Sequence, residues 1–366
     1  MGPSDAIDFS SVKRALVVKL RHHGDVLLTT PVLSVLKSHM PQGEIDALVY
    51  GDTRAMLDGH PSLTNVFAID RAWKKLSFLD RATKEWHLLA ALRRRNYDLL
   101  IHLTEHPRGA WLARFLHCAY AVAPDYPRRS KFWRASFTHR FSLPKNPYRH
   151  MVEWNLDALR RIGVQPLPEE RKPILVAGSE GEAEATQLLK LHGINERSFI
   201  HIHPASRWSF KCWPERRNAA LIDALASRGE RVVLTAAPVA DELDFVARIV
   251  SHCKSTPINL SGLLSLKGLA ALTARAKLFI GVDSAPMHMA AAMGTPVVAL
   301  FGPSGEKEWG PWSPVARVVA SNTHTCRPCG IDGCGGGKIS DCLVTLEEDR
   351  VLAAALELLR VPLQPH

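Results

Sequence analysis

Four short stretches of this 366-residue chain hold residue types at spacings that suit chemistry. In KLRHHGDVLL, residues 19–28, two histidines, a glycine and an aspartate interrupt an apolar run. Asp25 stands at the expected mouth of a helix. Its carboxylate can cap that helix, or accept a proton from a hydroxyl nucleophile. Lys19, Arg21, His22 and His23 add donors nearby. The histidines lack the spacing and carboxylate partners of a metal site. In IHPASRWSFKCWP, residues 202–214, an expected strand ends and a polar loop presents Ser206, Arg207, Ser209 and Lys211. Pro214 suits the first turn of the next helix. A lysine there can join backbone N–H groups around phosphate oxygens; it can equally be a surface lysine beside buried tryptophans. The glycines and GK[ST] ending of a P-loop are absent.

The third stretch is FIGVDSAPMHMAAAMGTPVVALFGPS, residues 279–304. Asp283 and Ser284 end one strand, Gly302, Pro303 and Ser304 end the next, and Ala285, Ala290, Ala291 and Ala292 allow close approach between. Two polar strand ends side by side suit a nucleoside diphosphate. Tight helix–sheet packing explains the alanines but less of the polar ends. The fourth is CRPCGIDGCGGGKISDC, which holds Cys326, Cys329, Cys334 and Cys342. This spacing could hold zinc between four thiolates, or an iron–sulfur cluster. The alternative is four reduced thiols lining a loop. Cys118, Cys212 and Cys253 stand singly and read as ordinary small residues.

These stretches need elements to position them. RALVVKL, IDALVY, VFAID and YDLLIHL are short apolar runs without clean alternation, as expected of parallel strands covered by helices on both faces. Helical spacing follows in VLLTTPVLSVLKSHM and TKEWHLLAALRRR. Pro31 must lie in a first turn or kink its helix. The second half repeats the plan from SFIHIHP onward. Proline-rich VQPLPEERKPILV, residues 164–176, separates the halves. In TLEEDRVLAAALELL, Thr345 and Glu348 have capping-box spacing before an amphipathic last helix. The expected domains are 1–170, 171–345 and a C-terminal helix and tail, 346–366. Tandem α/β domains leave a cleft, with ligands beyond the carboxyl ends of the strands.

The 46% hydrophobic content supports a folded core, and no apolar run is long enough to span a bilayer. The first dozen residues do not read as a secretory signal, so a cytoplasmic protein is expected. The net charge of +10 would attract anionic partners. Without zinc-finger or RNA-binding signatures, no nucleic acid partner is expected. RRSKFWRASFTHRFSL interleaves basic and aromatic residues; it is either a surface for a phosphorylated, partly lipidic partner or a connector with a few buried aromatics. Neither first-strand loop supplies the GxGxxG of a dinucleotide oxidoreductase. A non-catalytic basic binding protein would explain the charge but not three polar strand ends.

KLRHHGDVLLTTPVLSVLK, HPASRWSFKCWP and FIGVDSAPMHMAAAMGTPVVALFGP, in this order, resemble three signatures of the ADP-heptose:lipopolysaccharide heptosyltransferases, glycosyltransferase family 9. The likeness runs from about residue 14 to residue 350 and is greatest to the branch that adds a side-branch heptose to the second heptose of the inner core. It implies an α/β GT-B fold, with two facing Rossmann-like domains and a C-terminal helix packed back on the body. It also implies an inverting transfer that needs no metal cofactor, from the donor ADP-L-glycero-D-manno-heptose to a phosphorylated lipopolysaccharide inner core. The enzyme would sit on the anionic cytoplasmic face of the inner membrane. By this resemblance Asp25 is the general base, and Lys19, Arg21, His22, His23 and Gly24 attend the acceptor. Lys211 binds the diphosphate, Asp283 belongs to the donor motif and Glu242 holds the ribose. Ser206, Arg207, Ser284, Ala285, Met287, His288, Gly302 and Pro303 complete the donor site. Phe210 and Cys212 depart from the acidic residue and histidine that often flank the lysine in other branches, so local donor contacts there differ. A similar cysteine group occurs in some relatives, leaving structural zinc at Cys326, Cys329, Cys334 and Cys342 as an expectation. Transfer of another activated sugar, or of heptose to another core position, is the nearest alternative. The oligomeric state stays open.

Overall fold

Short apolar runs bounded by polar residues form strands buried on both faces, because helices cover each sheet from either side. The computed structural model describes residues 5–143 and 148–360, so residues 361–366 of the expected tail lie outside them. The chain divides into two units, Met1–Val176 and Ala177–His366.

The first unit's strands are β1 (Arg14–Lys19), β2 (Glu44–Tyr50), β3 (Asn65–Ile69), β4 (Leu99–His102), β5 (Tyr120–Asp125) and β6 (His139–Ser142). They form one parallel sheet in the order β3-β2-β1-β4-β5-β6. Its helices are α1 (His23–Leu27), α2 (Thr30–His39), α3 (Phe78–Arg94), α4 (Arg108–Leu116), α5 (Lys131–Arg134) and α6 (Met151–Arg160). Pro31 falls in the first turn of α2, where its missing N–H needs no partner, and the chain breaks between α1 and α2 rather than kinking one long helix. The basic–aromatic segment folds into α5 and β6: Trp133, Phe137 and Phe141 are buried, while Phe132 is exposed. Asp46 of β2 is fully buried and accepts hydrogen bonds from Tyr97 Oη (2.6 Å), Arg95 Nε (2.8 Å) and Asn65 Nδ2 (3.0 Å).

In the second unit β7 (Phe199–His203), β8 (Arg231–Leu234), β9 (Ile258–Asn259), β10 (Leu278–Val282), β11 (Val297–Phe301) and β12 (Ala316–Ala320) form a parallel sheet ordered β12-β11-β10-β7-β8-β9. Counted from each unit's first strand, the two orders are the same, 3-2-1-4-5-6, the doubly wound pattern of dinucleotide-type folds. The helices are α7 (Gly178–Leu191), α8 (Glu215–Ala226), α9 (Ala240–His252), α10 (Leu266–Ala274), α11 (Ala285–Ala292), α12 (Glu306–Trp309), α13 (Asp341–Val344) and α14 (Glu348–Leu359). Val351, Leu352, Ala355 and Leu358 of α14 join the core of this unit with Ile200, Leu234 and Leu300. The expected capping box is absent. Glu347 takes the N-cap position without a side-chain cap bond, and Thr345 Oγ1 donates to Asp341 O (2.8 Å).

Candidate active site

In a sheet of this order the connections leave the first and fourth strands in opposite directions, and the crevice between their carboxyl ends is the place for a ligand. In the first unit that point lies between β1 and β4. Asp25 follows β1 and is the third residue of α1, past the N-cap position of His22. Its half-buried carboxylate has no hydrogen-bond partner among the described residues, so it does not act as the helix cap. The turn is braced from behind by Thr29 Oγ1, which donates to Asp25 O (2.8 Å).

The residues around Asp25 divide. Arg21 and His22 are exposed and Gly24 is half-buried. Arg21 lies 3.7 Å from Glu105 in the loop after β4. His23 Nε2 is 2.8 Å from Asp52 O. Lys19, expected among the acceptor-facing donors, is instead buried, at 3% exposure. Its Nζ donates to Leu103 O (3.3 Å) and Asn155 Oδ1 (3.0 Å), and lies 5.2 Å from the Trp154 ring centroid. Burial lowers this ammonium to about 8, partly offset by the charge of Asp25. Asn155 Nδ2 in turn donates to Leu28 O (2.9 Å), so one buried amide links Lys19 to the turn that carries Asp25.

In the second unit the equivalent point lies between β7 and β10, which are paired with His203 opposite Gly281. Lys211 ends a 3-10 turn after β7, and Asp283 follows β10. Lys211 Nζ lies 2.6 Å from Asp283 Oδ2, so stretches 72 residues apart meet in one partly buried ion pair. Two hydrogen bonds pin the lysine loop: Ser340 Oγ to Phe210 O (2.6 Å) and Trp213 Nε1 to Leu346 O (2.9 Å). Ser206 Oγ accepts from Trp208 N (3.3 Å), and exposed Arg207 lies 5.4 Å from the Trp208 ring centroid. Burial raises the Cys212 thiol beside Lys211 to about 11, so it stays neutral near pH 7.

Ser284 and Ala285 open α11 and are half-buried; Ser284 Oγ donates to Val282 O (3.3 Å). Met287 packs among Phe279, Val297 and Phe301, and His288 is buried too. The Met287 side chain is therefore core rather than ligand-facing, and its amide donates to Ser284 O (3.2 Å). Gly302 O accepts from Arg327 Nε (2.7 Å) and Pro303 O from Gly330 N (3.0 Å), so these carbonyls hold the cysteine loop. Glu242 Oε2 accepts from Ala237 N (3.0 Å), which fixes the start of α9.

Cys342 feels the other three cysteines: burial first, and then the charges of Cys334, Cys329 and Cys326, raise its thiol against the opposing charge of Arg327. Among the described residues no three His, Cys, Asp or Glu side chains are grouped to hold a metal ion. Cys326, Cys329 and Cys334 are exposed, Cys342 is buried, and Cys334 Sγ accepts from Asp341 N (3.4 Å). They lie in a loop that buttresses the strand ends, and four thiols are a donor set that suits tetrahedral zinc, so structural zinc here stays a proposal.

Two groups at the second site are not among the expected site residues. Glu308 of α12 is half-buried; burial and then the negative charge of Asp283 raise its carboxyl. Only its place four residues after Ser304 hinted at a role. His203 belongs to a buried chain with Thr235, His201 and Thr273.

A model of glycosyltransferase family 9 (heptosyltransferase) matches residues 85–339. The chain is 38% identical over 296 residues to lipopolysaccharide heptosyltransferase 3 of Escherichia coli, covering 80% of this chain and 85% of that one. It superposes on the glycosyl transferase family 9 structure from Veillonella parvula with TM-score 0.80 at 24% identity, covering 97% and 99% of the two chains. On Escherichia coli heptosyltransferase WaaC with ADP the TM-score is 0.74 at 22% identity, covering 94% and 99%. With the two sheets, these likenesses assign the fold to the GT-B type.

Proposed function

The chain belongs to glycosyltransferase family 9, the heptosyltransferases, and from that premise we propose that it moves L-glycero-D-manno-heptose from ADP-heptose to a hydroxyl of heptose II in the lipopolysaccharide inner core. The observation that carries this reading is the Lys211–Asp283 pair at the switch point of the second sheet, matched by unpartnered Asp25 at the switch point of the first. The likeness to lipopolysaccharide heptosyltransferase 3 supports the acceptor.

The second unit takes the donor. Lys211 meets the diphosphate and, with the amides at the start of α11, stabilises the charge that grows on departing ADP. The first unit takes the acceptor. Asp25 accepts the hydroxyl proton as the oxygen bonds to the anomeric carbon and ADP leaves from the opposite face, through an oxocarbenium-like transition state. The base need not hold the proton beforehand, because the hydroxyl becomes acidic only as the new bond forms.

The anionic membrane surface is assigned to α3, α4 and α5. Residues 71–134 hold fourteen Lys and Arg against five Asp and Glu, net +9 of the chain's +10. They also hold Phe78, Trp86, Trp111, Phe115 and Phe132, five of the seven exposed aromatic residues among those described. Basic charge with exposed aromatics suits an anionic bilayer interface. Sedimentation with phosphatidylglycerol vesicles, but not phosphatidylcholine vesicles, is expected. Equal binding to both would remove this assignment.

The central test is product formation from ADP-heptose and truncated lipopolysaccharides. Asp25→Asn is expected to keep ADP-heptose binding and lower turnover by roughly 100-fold or more, whereas Lys211→Ala weakens donor binding as well. No product with any heptose-containing acceptor would overturn the reading.

A further inference from the structure

Two histidines and two threonines in the second unit form a chain whose proton order can be worked out. His201 and His203 lie two residues apart on β7, on one face of the sheet, at 0% and 5% exposure. Thr273 Oγ1 lies 2.6 Å from Leu269 O, and a carbonyl accepts at that distance only from a proton donor. Thr273 therefore gives its single proton to Leu269 and can only accept from His201 Nδ1, 3.0 Å away. Burial keeps His201 neutral, so its one N–H is on Nδ1 and its Nε2 is a bare acceptor. That nitrogen takes the proton of Thr235 Oγ1 at 2.7 Å. Thr235 is then left to accept from His203 Nδ1 at 2.8 Å. His203 is neutral too, burial lowering it to about 4. Its proton is fixed on Nδ1, and Nε2 carries a lone pair only.

His203 Nε2 has no partner among the described residues. It is not one of the fully sealed, unpaired ring nitrogens, as His60 Nε2 and His102 Nδ1 are, and its residue keeps 5% exposure. His203 is the last residue of β7, opposite Gly281 of β10, and Asp283 follows one step along the same face. A lone acceptor thus stands at the switch point beside the loop that carries Ser206 and Lys211.

We propose that His203 Nε2 is an obligate hydrogen-bond acceptor for a neutral hydroxyl or amino group of the ADP-sugar, held in that state by Thr235, His201 and Thr273 as positioning residues. The proposal rests on the reading of the second unit as the ADP-heptose half. The chemistry separates labour within the site. A bare imidazole nitrogen repels phosphate oxygens and accepts only from O–H or N–H, so it reads the sugar or the base. The diphosphate falls to Lys211.

The test uses full-length protein labelled with 15N-histidine. In the free protein, long-range 1H–15N spectra are expected to show His203 protonated on Nδ1 and bare at Nε2. Adding ADP-heptose should move the Nε2 resonance toward that of an accepting nitrogen. By calorimetry, His203→Phe should weaken ADP-heptose binding about three- to tenfold, whereas His203→Gln, which keeps an acceptor, loses less. Thr235→Val, which releases the tautomer, should weaken binding while Thr235→Ser does not. The partner group is located by comparing nucleotides with wild type and His203→Phe. A penalty that vanishes with inosine diphosphate marks the adenine amino group, and one that vanishes with 2′-deoxy-ADP marks the ribose. One seen only with intact ADP-heptose marks the heptose. A proton on Nε2, or an Nε2 resonance unmoved while calorimetry records ADP-heptose binding, overturns this inference alone. A wild-type protein that binds no ADP-heptose overturns the donor reading and this inference with it.

Discussion

Replacing Lys19 by methionine should change how the stability of the first unit depends on pH. An ordinary lysine titrates near 10.5, and burial lowers Lys19 to about 8, against a smaller opposing effect of Asp25. At 1.36 kcal/mol per pH unit, this gap means that the folded unit bears about 3 kcal/mol for keeping the ammonium charged. Below pH about 8 folded and unfolded chains both hold the proton, and the cost is constant. Between about 8 and 10.5 the unfolded chain keeps its proton while the folded one has released it. Stability therefore rises with pH in this window, by up to about 1.4 kcal/mol per unit, and levels off above it. The absolute stability at pH 7 is a poor test. Methionine removes the charge but strands Leu103 O and Asn155 Oδ1, each worth about 1–3 kcal/mol when left unpaired. The slope is the clean quantity, because every other titrating group is common to both proteins. Urea midpoints from pH 7.5 to 10.5, followed by tryptophan fluorescence, should show wild type gaining about 3 kcal/mol on Lys19→Met. Trp154, 5.2 Å from the ammonium, is a local reporter. A wild-type–variant difference that stays flat across this range would falsify the buried charge. The result bears on chemistry because Asn155 also holds Leu28 O, behind the Asp25 turn.

Three further perturbations follow from particular contacts. Asp46→Ala strands Arg95 and Tyr97 inside the first unit and should cost about 3–5 kcal/mol by denaturant titration; a loss under 1 kcal/mol would show that the buried network contributes little. Gly281→Ala would place a methyl 2.8 Å from the Phe279 ring and 3.0 Å from His203 O. It should destabilise the second unit by about 1–3 kcal/mol, and an unchanged midpoint would mean that the ring moves freely aside. Turnover in excess chelator should equal turnover without it, because Lys211 supplies the positive charge for the diphosphate. Activity lost to chelator and restored by a divalent cation would contradict that.

Much of the scaffold is legible residue by residue. β1, β2, β4, β7, β8, β10 and β11 are apolar runs whose burial on both faces follows from a sheet covered by helices, and Pro31 marks the first turn of α2 through its own covalent geometry. Tyr120–Asp125 and His139–Ser142 are less apparent, because Pro124 interrupts one and the other, on the sheet edge, holds Phe141 as its one apolar residue. The chemical types of Asp25, Lys211 and Asp283, and their places just after strands, are also determined locally. What each does is not. Asp25 is released from capping because the helix begins earlier, with His22 at the N-cap position and His23 as its first residue. Lys19 is interior because Asn155, 136 residues on, meets its ammonium. Lys211 and Asp283 become a pair only because β7 and β10 lie side by side. The cysteine spacing speaks for a metal, yet among the described residues no three ligating side chains are grouped to hold one. The His203 tautomer depends on hydroxyls from Thr235, just after β8, and from Thr273 of α10. The sequence by itself determined the periodicity, the strand ends and the residue types, since these are local properties of the chain. Only the tertiary structure decided which charges meet, which are sealed and which proton sits where, because such energies depend on distance and solvent exclusion between residues far apart in sequence.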